Sequence, residues 1–166
     1  LYYQVSPYAV QIYLCEVYMR FYWTLGVKSI ALRYFNVFGE RQELANEGSL
    51  VLSRFLNQYK NGQPFTIYGT GDQRRDFVYV KDVVNANLKA AEFLKTAKEF
   101  HTIDIGTGTN YSINDITFLI SKKHSKVNLP PRVEPFENRA DPWQAQELLN
   151  WEPQITLPQW LKQVSS

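Results

Sequence analysis

Tyr8 is the first residue whose type and position could do chemistry. A phenol is only about 0.1 % ionised at pH 7. A cation some 5 Å away, at an effective dielectric of about 20, interacts by roughly 3 kcal/mol and lowers the phenol pKa by up to about two units. A Lys four residues on, one helical turn away on the same face, would supply that charge. Position 12 holds Ile, which offers neither charge nor donor. Taken alone, Tyr8 also reads as one buried aromatic among eleven tyrosines.

Three further segments carry polar groups at informative places. Asn36, in Leu32-Arg33-Tyr34-Phe35-Asn36-Val37-Phe38-Gly39, falls at the carboxyl end of an apolar run that reads as a buried strand, where ligands of α/β proteins bind. Its amide can donate to a phosphate and accept from a sugar hydroxyl, or it can simply form a turn. Arg75 follows the turn Gly69-Thr70-Gly71-Asp72 and begins a strand. There it could fork onto a diphosphate, or pair with Asp at a solvated turn. Arg132, after Pro130-Pro131, could meet a nucleotide or remain a surface side chain. Gly106-Thr107-Gly108 opens like a dinucleotide-binding loop. The third glycine position holds Tyr111, however, and the next helix starts several residues late. His101 and His124 lack metal-like partners at suitable spacing, so no metal site is expected.

These residues need elements to hold them. Ser6 caps and Pro7 opens a helix running to about Leu25 and stopped by Gly26. Its apolar positions run nearly all round, so it must be covered on more than one side. Cys15 lies in that run and reads as a core thiol. Strands are expected at 28–34, 65–68, 76–80 and 101–105, with residues 35–39 as the turn leaving the first. Helices are expected at 50–59, from an Asp82 cap to about Leu94, and at 113–124 with a Ser112/Asp115 capping box. Two more start at Asp141-Pro142 and at Thr156-x-x-Gln159. Strands alternate with helices, so the class is α/β.

The 166 residues are 45 % apolar and 20 % charged, with a net charge of +2, which gives no reason to expect a nucleic-acid partner. One cysteine excludes an internal disulfide framework and fits a reducing, cytoplasmic compartment. No apolar stretch reaches membrane-spanning length, so no membrane partner is expected.

In order, Ser6-Pro7-Tyr8-Ala9-Val10, the Leu32–Gly39 segment, Arg75-Asp76-Phe77-Val78-Tyr79-Val80-x-Asp82-Val83, the Ile105–Gly108 turn and Leu148-Leu149-x-Trp151-x-Pro153 resemble the extended short-chain dehydrogenase/reductases that act on nucleotide sugars. The likeness covers essentially the whole chain and is strongest to UDP-glucose and UDP-N-acetylglucosamine 4-epimerases. It implies the carboxy-terminal part of a Rossmann-type fold with a small substrate-binding subdomain. Residues 1–45 and 75–110 would supply the last elements of the Rossmann-like sheet, and 46–74 and 111–166 the nucleotide-sugar subdomain.

By this resemblance Tyr8 matches the catalytic acid/base, and Tyr34 and Phe35 match residues near the nicotinamide of NAD. Asn36 and Arg75 match diphosphate contacts, Leu50, Val51 and Tyr68 the uridine cradle, and Arg132 a second Arg near the nucleotide. Asp82 reads chiefly as a helix cap. A homodimer or higher oligomer through the helix at 8–25 is implied. The chain departs from the family pattern at Ile12 and contains no Gly-x-x-Gly-x-x-Gly loop. The expectation is therefore UDP-sugar contacts without NAD-dependent turnover by this chain alone. The alternatives are a non-catalytic UDP-sugar-binding or dimerisation module, or part of a related dehydratase or reductase.

Overall fold

Parallel strand pairs set the frame of the computed structural model, which describes residues 6–42 and 50–164. The chain order is α1 (Pro7–Thr24), β1 (Ile30–Tyr34), β2 (Asn36–Phe38), α2 (Val51–Lys60), β3 (Phe65–Tyr68), β4 (Arg74–Tyr79) and α3 (Val80–Leu94). Then follow β5 (His101–Ile105), β6 (Asn110–Ser112), α4 (Ile113–Ile120), β7 (Lys126–Leu129), α5 (Trp143–Leu149) and α6 (Leu157–Val164). Strand β1 pairs in parallel with β5, and β3 with β7. In the middle, β2 runs parallel to β4, and β4 antiparallel to β6. This is an α/β fold with a mixed sheet flanked by helices.

Two apolar clusters hold these strands. Phe38, Phe65, Ile67, Phe77 and Tyr79 pack against the inner faces of α2, α4 and α6. The stripes are Leu52 and Phe55 on α2, Ile113, Ile116 and Ile120 on α4, and Leu157, Trp160 and Leu161 on α6, all at helical spacing. The second cluster joins Val78, Ile103 and Ile105 to α3 and α5, with Trp151 closing it. Val83, Ala86 and Ala90 form the inner stripe of α3. Successive residues of β4 belong to different clusters, Phe77 to one and Val78 to the other. Alternation along one strand thus ties the two together.

Several expectations need correction. Residues 36–38 form β2, which pairs with β4, rather than a turn. Strands β6 and β7 escaped sequence reasoning because each is only three or four residues long, too short for the alternation of Lys126–Leu129 to stand out. Asp82 does not cap α3. Tyr79 is the first flanking residue, and the buried Asp82 carboxylate accepts from Gln154 N (3.0 Å) and Ile155 N (3.2 Å). Its carbonyl also accepts from Trp151 Nε1 at 2.9 Å, so Asp82 anchors the segment before α6. Helix α4 ends at Ile120, four residues early. Cys15 is exposed, and α1 buries none of its residues. The all-round apolar pattern marks surface that the described residues leave uncovered.

The caps read from the sequence do form. Ser6 accepts from Ala9 N, Ser112 and Asp115 make the reciprocal box, and Thr156 N donates to Gln159 at 2.8 Å. Asp141 Oδ1 accepts from Trp143 N at 3.2 Å, two residues ahead of the regular helix α5, whose immediate flanking residue is Pro142.

Candidate functional site

A cleft of about 240 Å³ opens between α2, the ends of β3 and β4, and the segment after β7. It brings together Asn36, Leu50, Val51, Tyr68, Arg75 and Arg132, residues drawn from five separate places in the sequence. Arg54, Gln73, Ile113 and Glu134 also line it, and sequence reasoning missed them. A periodic pattern accounts for Arg54 and Gln73 only as polar positions on a helix and a turn. Glu134 has no pattern at all. The volume lies just below the roughly 300–1,000 Å³ of typical small-molecule pockets, which suits part of a nucleotide sugar.

Each side chain is held by an identifiable neighbour. Asn36 Nδ2 donates to Asp76 O at 2.6 Å, which turns the amide toward β4. Arg75 is largely buried, with its side chain 11 % exposed, and Nη2 meets Glu134 Oε2 at 2.6 Å. Glu134 Oε1 accepts from Gln73 Nε2 at 3.1 Å, and the same Gln73 amide nitrogen donates to Tyr68 O at 2.9 Å. The Arg132 guanidinium stacks over the Tyr68 ring, 3.5 Å from its centroid. Arg54 lies 5.2 Å from that ring and donates to Thr66 O at 3.2 Å. Burial draws the Arg54 pKa down from its ordinary value, against the raising effect of Tyr68. Three guanidiniums against one carboxylate give the cleft an excess of positive charge, the character that binds an anion.

Asp76 is the fixed point beneath the cleft. It is fully buried and its carboxylate accepts four bonds. Thr107 N (3.0 Å) and Thr107 Oγ1 (2.7 Å) meet Oδ1, while Gly108 N (2.9 Å) and Ala140 N (3.0 Å) meet Oδ2. Asp76 N donates to Asn138 Oδ1 at 2.9 Å. The strand bearing Arg75 is thereby tied to the 106–108 turn and to the segment that follows Arg132 and Glu134. An Asp adjoining the apolar run Phe77–Val80 was the available signal, since a buried carboxylate requires donors. Gly71 completes the turn before β4. Its φ is +82°, and a Cβ there would meet the Asn114 side chain at 2.7 Å.

Tyr8, Tyr34 and Phe35 do not line this cleft. Tyr8 sits in the first turn of α1 and is 70 % exposed, with Ile12 exposed one turn on. Tyr34 is half-exposed and donates its hydroxyl to Asn87 Oδ1 at 2.9 Å, beside a second cleft between β1 and α3. Phe35 N donates to Ile105 O at 3.1 Å. These residues do not by themselves fit a dinucleotide. The Gly106-Thr107-Gly108 turn after β5 donates its Thr107 and Gly108 N–H groups to Asp76, where a phosphate-binding loop would present them to the ligand. What the described residues can do together is hold an anionic, partly planar ligand.

No helix among the described residues is long and apolar enough to cross a membrane. A family model described as the NAD dependent epimerase/dehydratase family matches residues 1–106. The chain is 35 % identical to a putative UDP-glucose 4-epimerase of Methanocaldococcus jannaschii, over 96 % of this chain and 52 % of that protein. It superposes with a TM-score of 0.88 on the crystal structure of UDP-glucose 4-epimerase with UDP-glucose from Thermotoga maritima, at 35 % identity over 97 % of this chain and 52 % of that one. It superposes with a TM-score of 0.77 on UDP-glucuronic acid 4-epimerase from Bacillus cereus in complex with UDP-glucuronic acid and NAD, at 30 % identity over 95 % and 51 %. The chain thus spans about half the length of the relatives it matches. With a family model over most of its length and relatives agreeing in both sequence and fold, the chain belongs to the NAD dependent epimerase/dehydratase family.

Proposed function

We propose that this chain carries the nucleotide-sugar contacts of a UDP-sugar 4-epimerase, an enzyme that works by NAD-mediated transient oxidation at the sugar carbon. The observation that carries this reading is the meeting of Asn36, Leu50, Val51, Tyr68, Arg75 and Arg132 in one cationic cleft. In it, Asn36 and Arg75 hold the diphosphate, and Leu50, Val51 and Tyr68 cradle the uridine. Arg132 lies against the nucleotide. Tyr8 is the acid/base of the family reaction, and Tyr34 and Phe35 pack near the nicotinamide. Residues 1–45 and 75–110 belong with the Rossmann-like part, and 46–74 and 111–166 with the nucleotide-sugar subdomain.

These 166 residues alone bind UDP and do not turn over. Ile12 leaves Tyr8 without a cation one turn away, and the Gly106–Gly108 turn is committed to Asp76. Calorimetry with UDP and with NAD tests this directly. UDP binding is expected and NAD binding is not. Epimerisation of UDP-galactose or UDP-N-acetylglucosamine by the chain with added NAD would refute the inactive reading, and loss of UDP binding the whole of it.

One observation favours a second role. The exposed side chains of α1 include Ile12, Tyr13, Leu14, Val17, Tyr18 and Phe21. A second copy packing on this helix as a homodimer would cover them. Light scattering reads the mass, and a monomer at micromolar concentration would count against it.

A further inference from the structure

We infer that Arg54 selects the base of the nucleotide by donating to a ring carbonyl oxygen. The inference rests on the nucleotide-sugar reading of the cleft.

Arg54 lines the cleft beside Tyr68, Leu50 and Val51. Its Nε is shielded from solvent and has no hydrogen-bond partner among the described residues. A buried donor left unpaired is costly, and a small turn of the guanidinium toward the cleft would let a ligand atom accept from it. The side chain is also pre-set. Nη2 donates to Thr66 O at 3.2 Å, and the guanidinium lies 5.4 Å from the Phe55 ring centroid. Thr66 is itself clamped, with its N–H on Gln58 Oε1 at 3.2 Å and its hydroxyl accepting from Gln58 Nε2 at 2.8 Å. The donor therefore stands on a fixed strand edge.

The wall around it argues for a base rather than a phosphate. Tyr68, Leu50 and Val51 present aromatic and aliphatic surface, which suits a flat, weakly polar ring. Arg75 stands in a more polar setting, bonded to Glu134 and to Arg74 O. A guanidinium only donates, so it meets a carbonyl and is mismatched with an exocyclic amine. Uracil offers a carbonyl at the position where cytosine carries an amine.

Calorimetry on the whole 166-residue chain with UDP, CDP and inorganic pyrophosphate tests the assignment. Wild type is expected to bind UDP about tenfold or more tighter than CDP. Arg54→Met is expected to weaken UDP about tenfold and bring the UDP/CDP ratio close to one. Pyrophosphate affinity should change by less than about twofold, and that unchanged binding also reports an intact fold. If Arg54→Met fails to fold, Arg54→Lys carries the test, since it keeps the charge while losing the planar fork, and the UDP/CDP ratio should again fall. An equal loss for UDP, CDP and pyrophosphate would make Arg54 a phosphate cation and overturn the inference, as would a ratio left unchanged. Wild type that binds pyrophosphate but favours neither nucleotide would overturn the base assignment alone. Wild type that binds none of the three would bring down the nucleotide-sugar reading and this inference with it.

Discussion

The cleft end of the proposed site and the Tyr8 end receive opposite treatment from the same chain. Around the cleft, every polar side chain has a neighbour that aims it. Glu134 joins Gln73 to Arg75, Tyr68 supports Arg132, and Asp76 ties three segments together from below. Around Tyr8, the helix buries nothing, and its main ties to the rest of the chain are Glu16 with Arg33 (2.6 Å) and Ser29 Oγ with Met19 O (3.3 Å). On the proposed reading, the difference separates the residues of binding from the residue of chemistry. The cleft is built by long-range contacts within these residues, while α1 presents an apolar surface whose covering is not supplied by them.

The comparison would break first at Asp76. Asp76→Ala leaves four buried or half-buried donors without an acceptor, and a stability loss of about 3 kcal/mol or more is expected in a denaturant melt. A loss below about 1 kcal/mol would mean that the cleft does not hang on this carboxylate. Next, Arg75→Gln should weaken UDP by about 1.5–3 kcal/mol with little change in melting temperature, because the charge-assisted contact is lost while the strand remains. Glu134→Gln sharpens the point. It removes the anion that holds Arg75 and should strengthen pyrophosphate binding several-fold, about 1 kcal/mol, at low salt. Weaker pyrophosphate binding would show that Glu134 positions Arg75 rather than competing for it.

Smaller still, Ile12→Lys should shift stability by no more than about 0.5 kcal/mol and leave UDP affinity unchanged, since residue 12 is exposed on the separate helix. A changed UDP affinity would couple the two ends. The smallest effect concerns acid. Burial pulls the Asp115 pKa up, but its bonds to Ser112 and the charge of Arg74 outweigh that and hold it below the usual carboxylate range. A depressed folded pKa gives stability that is present above the unfolded value of about 3.9 and is lost as pH falls below it. Asp115→Asn should therefore lower stability slightly at pH 7, where the contribution is present, and flatten the acid limb of the stability profile below about pH 4.

Much of the frame was legible beforehand, for local reasons. The Ser6, Ser112 and Thr156 caps depend on residues three apart, and the stripes of α2, α4 and α6 depend on helical period. What escaped was non-local or short. β2 and β6 are three-residue strands that exist because β4 lies between them. Asp82 looked like a cap because it begins an apolar helical run, yet its partners lie more than seventy residues on. Cys15 and its neighbours looked like core because apolar sequence carries no sign of which molecule covers it.

By itself the sequence determined the order of helices, their caps and the family motifs, with Asn36, Tyr68, Arg75 and Arg132 among the residues those motifs single out. Only the tertiary structure decided that these four share a cleft, that Arg54, Gln73 and Glu134 join them, and that Tyr8 stands apart on an exposed helix. The reason is physical. Caps and stripes are settled by neighbours within a turn or two, whereas a cleft is settled by where distant segments are pinned, here chiefly by the four hydrogen bonds that meet on the buried carboxylate of Asp76.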